Sequence, residues 1–389
     1  MAVDQRNFLE YKGGLFMLEI IEVQSKRDRK EFVEYPLRMY KGNPYFVPPL
    51  YGDEMAMFTN KNIYNKTCKS IFFLAKKDGV TVGRIQGILQ QQFNQLKNKK
   101  QVRFTRFDCE NNPDTAKALF DAVEAWAKEM GTSEIVGPLG YSDLEREGLL
   151  IEGFDYLSTF EEQYNFEYYA SLIEACGYVK DVDWLEYRMF SLNEDPSRFQ
   201  AILDHTLKKY NLHFVDPKLS KRAFIKRYAK GFFHCIDECY KDLYGVVPYT
   251  PEMQKQMIDQ FMLILDRKYI TAVCDENDEV VACGLCLPGM GKALQKSGGR
   301  LTPAAIVRLL KAVKHPESLD FALVGIMPKY RKSGLSVFML TVLQEMLKGS
   351  NIQYMETNLN LEDNANIQTM WKRFDHIQHK RRRSYIKNI

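Results

Sequence analysis

The stretch Phe321-Ala322-Leu323-Val324-Gly325-Ile326-Met327-Pro328-Lys329-Tyr330-Arg331-Lys332-Ser333-Gly334-Leu335-Ser336 changes character halfway along. Phe321 to Met327 is an apolar run of strand length. Pro328 has no amide hydrogen to continue a ladder, which suits a strand that must end there. After a basic turn, Leu335, Phe338, Met339, Val342, Leu343, Met346 and Leu347 recur at helical spacing. The first amides of a helix have no intrahelical partner, and the macrodipole adds positive potential there. Gly334 allows close approach to the backbone, Arg331 and Lys332 add charge, and the natural guest is a phosphate or pyrophosphate. The turn lacks the Gly-Lys-Ser/Thr of nucleotide hydrolases and the three glycines of a dinucleotide fingerprint. Aspartate at position 334 is expected to exclude the guest and spare the fold, since aspartate suits a helix start.

The chain has 389 residues, more than one ordinary core holds, so two domains are expected. Hydrophobic content of 45% and charged content of 27% are those of a soluble globular protein, and a net charge of +4 does not by itself argue for nucleic acid. The eight cysteines are scattered, which suits a reducing, cytoplasmic setting and not a disulfide framework. No run is long and apolar enough to span a membrane, so no membrane partner is expected. Residues 1–16 read as an N-terminal extension, either disordered or a start placed too far upstream, with no signal-peptide core.

Leu18 to Val23 reads as a strand and Asp28 to Tyr40 as a helix. Ile71–Ala75 and Val80–Leu89 flank an Asp78-Gly79 turn and read as a hairpin. Val102 to Phe107 is a strand. Thr115 to Met130 is an amphipathic helix ended by Gly131. A short strand at 134–136, a loop from Leu139 to Gln163, a helix at 168–176 and a strand at 184–190 follow. The second half repeats this order: hairpin 269–287, strand 321–327, helix 334–348, strand 354–358, helix 364–374, strand 384–386. Leu119-Phe120 to Gly131 parallels Phe338-Met339 to Gly349. The expected fold class is α/β, a mixed sheet with helices on both faces. The expected domains are 17–190 and 191–389, with the seam near Ser191–Pro196.

This order, with Arg331-x-x-Gly334-x-Ser336 after a strand, resembles the GNAT acyltransferases, whose acetyl-CoA signature is Arg/Gln-x-x-Gly-x-Gly/Ala. Ser336 replaces the last small residue. Tandem GNAT halves also occur in Fem-type peptidyltransferases and in uncharacterised bacterial acyltransferase-like proteins. Gly137-Pro138, Glu147 to Leu150 with Gly153-Phe154, Tyr164-Asn165 with Tyr168-Tyr169, and Glu356 to Asn364 look most like the latter. The resemblance implies acetyl-CoA or another acyl-CoA as co-substrate, no metal, and an amine acceptor, small molecule or peptide. It assigns the pantetheine arm to backbone at Val324, Ile326 and Met327, and the pyrophosphate to Arg331, Lys332, Ser333, Gly334, Leu335 and Ser336. Asn358 and Asn364 are placed near the arm. Two alternatives stay open: a non-catalytic acyl-CoA-binding or interaction protein, and Fem-like aminoacyl transfer using tRNA.

The matching turn of the first half is Asp108-Cys109-Glu110-Asn111-Asn112-Pro113-Asp114, acidic and without glycine. Its carboxylates oppose phosphate, and Asp114 reads as a helix N-cap. The first half is therefore expected to serve packing and substrate recognition, with loop 139–163 and the aromatics 164–169 as cleft wall. In the second half Tyr354, Glu356 and Asn358 share a strand face, and Glu356 is the candidate base for an amine acceptor. The family's leaving-group tyrosine is replaced by Trp371, which has no phenol. Tyr385 is the substitute acid considered. Cys283-x-x-Cys286 and the helical pair Cys235 and Cys239 read as small buried thiols before metal ligands. Lys380-Arg381-Arg382-Arg383 reads as a solvated strand edge, or as a surface for an acidic partner such as tRNA.

Overall fold

The computed structural model describes residues 7–12, 17–348 and 351–389. Gly349 lies outside them, as do residues 1–6 and 13–16 of the expected extension. Asn7–Lys12 forms strand β1, antiparallel to β2 (Met17–Glu22), so that part of the extension is ordered into a sheet.

The elements that follow are α1 (Lys26–Met39), α2 (Tyr51–Ala56), β3 (Cys68–Lys77), β4 (Val80–Gln90), α3 (Gln91–Lys97), β5 (Gln101–Cys109), α4 (Pro113–Glu129), β6 (Glu134–Gly137), β7 (Leu149–Glu152), α5 (Tyr169–Ala175) and β8 (Val179–Leu192). Then come α6 (Pro196–Lys209), β9 (His213–Phe214), α7 (Lys221–Tyr240), α8 (Pro251–Phe261), β10 (Ile270–Cys274), β11 (Val280–Pro288), α9 (Gly291–Gln295), α10 (Pro303–Lys314), β12 (Ser318–Ile326), α11 (Val337–Leu347), β13 (Tyr354–Thr357), β14 (Asn360–Leu361), α12 (Ala365–Trp371) and β15 (Phe374–Asn388).

The chain divides into two compact units. One comprises residues 1–184, 291–305 and 380–389, the other 185–290 and 306–379. The first boundary falls near the expected seam, but two later segments return to the first unit. The cause is strand pairing: Tyr385–Asn388 of β15 pairs with β6, and Arg381–Arg383 pairs with β7. The later part of β8 pairs with β13 in the second unit.

In the first unit, β2, β3, β4 and β5 run antiparallel in sequence, and β5 pairs parallel with β6. The hairpin β3–β4 closes on Asp78 and Gly79, both at positive φ, the conformation such a tight turn requires. Helix α4 starts on Pro113, and its N-cap is Asn112, whose side chain accepts from the amides of Asp114 and Thr115. This corrects the expected cap at Asp114: a proline at the first helical position leaves the preceding asparagine to satisfy the free amides. Leu119, Phe120, Val123 and Ala127 form its buried face, with Phe104 edge-on to Phe120 at 5.1 Å.

In the second unit β10, β11 and β12 are antiparallel, and β12 pairs parallel with β13 through the crossover helix α11. Helix α7 lies against β11 and β12, and α6 lies against α11. Phe338, Met339 and Leu343 of α11 are almost fully buried, each contributing about 1.5–3 kcal/mol of transfer free energy before entropy is counted.

Lys380–Arg383 is not a solvated edge. Lys380 and Arg382 are buried against Glu162, and Arg381 and Arg383 pair with Asp183. Carboxylates distant in sequence pair with every side chain of the run, which its local composition does not reveal.

Candidate functional site

In the second unit, β12 and β13 stay together only from Ser318–Phe321 against Tyr354–Thr357. The amide of Asn358 makes a last bond to Phe321 O, 3.2 Å. Then β13 turns away while β12 continues to Ile326, and the two strands splay. The amide of Met327 bonds Val281 O of β11, so the main-chain groups of Val324 and Ile326, an odd number of residues away, face the opened edge. That edge is covered by the end of α7. The Tyr240 hydroxyl accepts from the Val324 amide at 3.2 Å, and the Cys239 thiol donates to Ile326 O at 3.2 Å. Arg331 Nε reaches the same carbonyl at 3.3 Å. The neighbouring Cys235 thiol and burial push the Cys239 thiol up, so it stays protonated and able to donate.

The turn after β12 is a single helical turn, Pro328–Tyr330, followed by Arg331 and Lys332 with exposed side chains. Ser333 Oγ donates to Tyr330 O at 2.7 Å and accepts from the Leu335 amide at 3.2 Å. The helix proper begins at Val337, with Ser336 at the N-cap and no side-chain cap. The amides of Val337, Phe338 and Met339 bond the carbonyls of Gly334, Leu335 and Ser336, tightening this first turn. Those of Lys332, Gly334 and Ser336 have no backbone partner among the described residues. Leu335 is wholly buried and serves the core, not the surface. Gly334 has φ +92°, and a Cβ there would meet Thr206 Oγ1 of α6 at 2.9 Å. The expectation that aspartate at 334 spares the fold is therefore overturned: the backbone is left-handed and α6 is too close.

Glu356 is 3% exposed, not a solvated carboxylate. Its Oε2 accepts from Arg188 Nε at 3.1 Å, and its Oε1 lies 2.7 Å from His379 Nε2. His379 Nδ1 lies 3.1 Å from the Glu186 carbonyl, which can only accept, so Nδ1 carries a proton. Nε2 and Oε1 share one proton across their 2.7 Å contact, while Arg188 holds the other carboxyl oxygen. Arg188 also stacks over Tyr354 at 4.3 Å, so Tyr354 and Glu356 do share a face. Glu186, Glu356 and His379 offer three buried ligand atoms within 4.8 Å of one another, a set able to hold a metal ion. Sequence reading missed Arg188, His379 and Tyr240; His379 sits in the alternating pattern of β15, which was the one available signal.

The other assigned residues are used locally. Asn358 Oδ1 accepts from the Leu359 amide, and Asn364 caps α12 by accepting from Ile367. Trp371 is buried, edge-on to Phe321, with its indole N–H on Asn360. Tyr385 belongs to the first unit, where its ring is in the core and its hydroxyl donates to Glu174 at 3.2 Å. No single unit brings Tyr385 and Glu356 together. In the acidic turn of the first unit, Asp108 does not face solvent. It is buried on Arg84, Tyr40 and Tyr169, so its charge is matched inside.

No family model matches the chain. Among curated proteins it is 27% identical over 376 residues to Protein YghO of Escherichia coli, covering 94% of each. It is 24% identical over 323 residues to the bacterial ceramide synthase of Caulobacter vibrioides, covering 81% of this chain and 82% of that protein. Among solved structures, a tandem GNAT protein from the clavulanic acid biosynthesis pathway superimposes with TM-score 0.52 at 12% identity, over 95% of this chain and 98% of the other. The GCN5-related glucosamine N-acetyltransferase region of a fungal β-N-acetylglucosaminidase gives TM-score 0.54 at 12% identity, over 95% of this chain and 38% of that one. The splayed strands, the basic turn and these likenesses agree, and the chain has the tandem GNAT fold.

Proposed function

We propose that the protein transfers an acyl group from a CoA thioester to an amine, using one CoA site in the second unit. The observation that carries this reading is the splay of β12 from β13 leading into a basic turn with free amides. The pyrophosphate is held by the amides of Lys332, Gly334 and Ser336 and by Arg331 and Lys332. The acyl arm lies along Val324, Ile326 and Met327, displacing Tyr240 from the Val324 amide. The amine nitrogen attacks the thioester carbonyl carbon, the C–S bond breaks, and CoA leaves as its thiolate. Because Glu356 and His379 are both buried, the ammonium proton reaches this pair through water and not by contact. The similarity to a ceramide synthase suggests the acceptor: the amine of a long-chain amino alcohol, acylated to an amide.

A second reading, a CoA-binding protein without turnover, is favoured by one observation: the oxygens of Glu356 are already taken by Arg188 and His379. Aminoacyl transfer using tRNA gains little from Lys380–Arg383, whose side chains are occupied by ion pairs with Glu152, Glu162 and Asp183. The test is calorimetry with acetyl-, octanoyl- and palmitoyl-CoA, followed by thiol release with sphinganine or short peptides as acceptors. Binding with thiol release supports the enzyme. Binding without release to any acceptor supports the second reading, and absence of binding overturns both.

A further inference from the structure

Helix α10 belongs to the second unit from Ile306 onward, and there it is apolar on two faces. Leu309 and Val313, one turn apart, are buried. The outward stripe of such a surface helix is ordinarily polar. Here it reads Val307, Leu310, Lys311 and Lys314, all exposed, at the spacing i, i+3, i+4 and i+7 that puts side chains on one face. Val307 is 67% exposed and Leu310 43%. Two neighbouring aliphatic side chains therefore stand in water, with two lysines beside and beyond them.

The charge along this segment has one sign. Between Glu279 and Glu317 the chain carries six lysines and arginines and no aspartate or glutamate, so α10 has no carboxylate of its own. Arg300, before the helix, is spent on Glu34. Arg308, Lys311 and Lys314 make no ion pair among the described residues, and Arg308 Nε is buried without a hydrogen bond among them. The nearest acid in sequence, Glu317, follows Pro316 and lies beyond the end of the helix. A second copy seated on the stripe would bury the lysines of both chains with no carboxylate of the stripe to meet them. A nucleic acid would answer the lysines but set Val307 and Leu310 against phosphates. An anionic bilayer answers both: aliphatic side chains enter the boundary between headgroups and acyl chains, and lysines reach back along their stems to the lipid phosphates.

We propose that the outward face of α10 docks the protein on the surface of an anionic phospholipid bilayer, with Val307 and Leu310 inserted and Lys311 and Lys314 on the phosphates. At 12 residues the helix is far short of the roughly 20 needed to span, so it lies in the plane of the surface. The expectation of no membrane partner followed from the lack of a spanning run, whereas an interfacial helix needs only an apolar stripe and cationic flanks. The proposal uses no residue of the CoA turn and does not rest on acyl transfer.

The test is co-sedimentation of the full chain, without CoA, with vesicles of phosphatidylcholine alone and of phosphatidylcholine mixed with phosphatidylglycerol. Binding to the mixed vesicles is expected, weaker at high salt, with little binding to phosphatidylcholine alone. Each lysine near an anionic surface is worth about a fivefold change in partitioning, so Lys311→Gln with Lys314→Gln is expected to weaken binding about twentyfold. Val307→Ser with Leu310→Ser is expected to weaken it about tenfold. All four side chains are exposed, so the melting temperatures of both double variants should match wild type. The three native tryptophans, Trp126, Trp184 and Trp371, are buried, so Val307→Trp adds an exposed fluorophore that brominated acyl chains in the mixed vesicles are expected to quench. The proposal is overturned if the chain ignores the mixed vesicles, if phosphatidylcholine alone binds it equally, if both double variants bind as wild type does, or if the Val307→Trp fluorescence is not quenched. It is also overturned if sedimentation shows a dimer that the double serine variant abolishes, since the stripe is then covered by a second copy.

Discussion

The hydroxyl of Tyr240 accepts a hydrogen bond from the backbone amide of Val324 at 3.2 Å, on the edge of β12 that β13 has left open. Tyr240 is the last residue of α7, and its neighbour Cys239 donates to Ile326 O on the same edge. A ligand that pairs with this edge must compete with the end of α7. The proposed CoA site is thus in a self-satisfied state, with the Tyr240 hydroxyl on the amide that a ligand's oxygen would take.

Tyr240→Phe removes that competitor and leaves the Val324 amide unpaired. A hydrogen bond of this kind contributes about 0.5–1.5 kcal/mol, so CoA is expected to bind several-fold more tightly, with a slightly lower melting temperature for the free protein. Titration calorimetry of the two proteins measures it. Unchanged affinity would mean that the acyl arm does not use Val324.

The basic turn is tested without disturbing the fold at Lys332, whose side chain is exposed. Lys332→Glu reverses one charge near the pyrophosphate. CoA affinity should fall about tenfold at low salt and by less at high salt, because exposed charges are screened. The melting point of the free protein should not move. Gly334→Asp is the poorer probe: its left-handed backbone and the 2.9 Å approach of Thr206 predict a loss of fold stability of about 1–2 kcal/mol as well. A Gly334→Asp protein as stable as wild type would show that α6 and the turn can separate freely.

Where the sequence was legible, the signals were local. The period change at Pro328, the Asp78-Gly79 hairpin and the repeated order of elements follow from steric and periodic rules within a dozen residues. What was not legible depends on partners far along the chain. Lys380–Arg383 resembles a solvated edge until Glu162 and Asp183 fold against it. Glu356 resembles an open base until Arg188 and His379 enclose it. The same holds for the domain limits, because β8 and β15 each begin in one unit and end in the other. Local pattern places a strand; it does not say which neighbour pairs with it.

Glu356 ties β13 to Arg188 of β8 and to His379 of β15. Glu356→Gln keeps the shape and removes the charge, leaving part-buried Arg188 and buried His379 opposite a neutral amide. Breaking one side of such a pair costs about 3–5 kcal/mol, so the midpoint of denaturant unfolding should fall clearly. Glu356→Gln with unchanged stability would reassign this carboxylate from holding the sheet to chemistry alone.

Glu161 gives the pH dependence. Burial, with Glu162 beside it, raises its carboxyl from 4.5 to about 7, while Arg146 pulls the other way. The folded protein therefore binds this proton more tightly than the unfolded chain does. Between pH 4.5 and about 7 the native state holds more protons, so stability from this group is fully present below the lower value and is lost as pH rises through the upper one. Glu161→Gln keeps an uncharged side chain at every pH and escapes the loss. The stability difference between Glu161→Gln and wild type should grow in favour of the variant as pH rises across that window, then stay level above it. Urea unfolding at half-unit steps from pH 4.5 to 8.5 measures it. A stability difference that does not change with pH would show that Glu161 is as well solvated in the folded protein as in the unfolded chain.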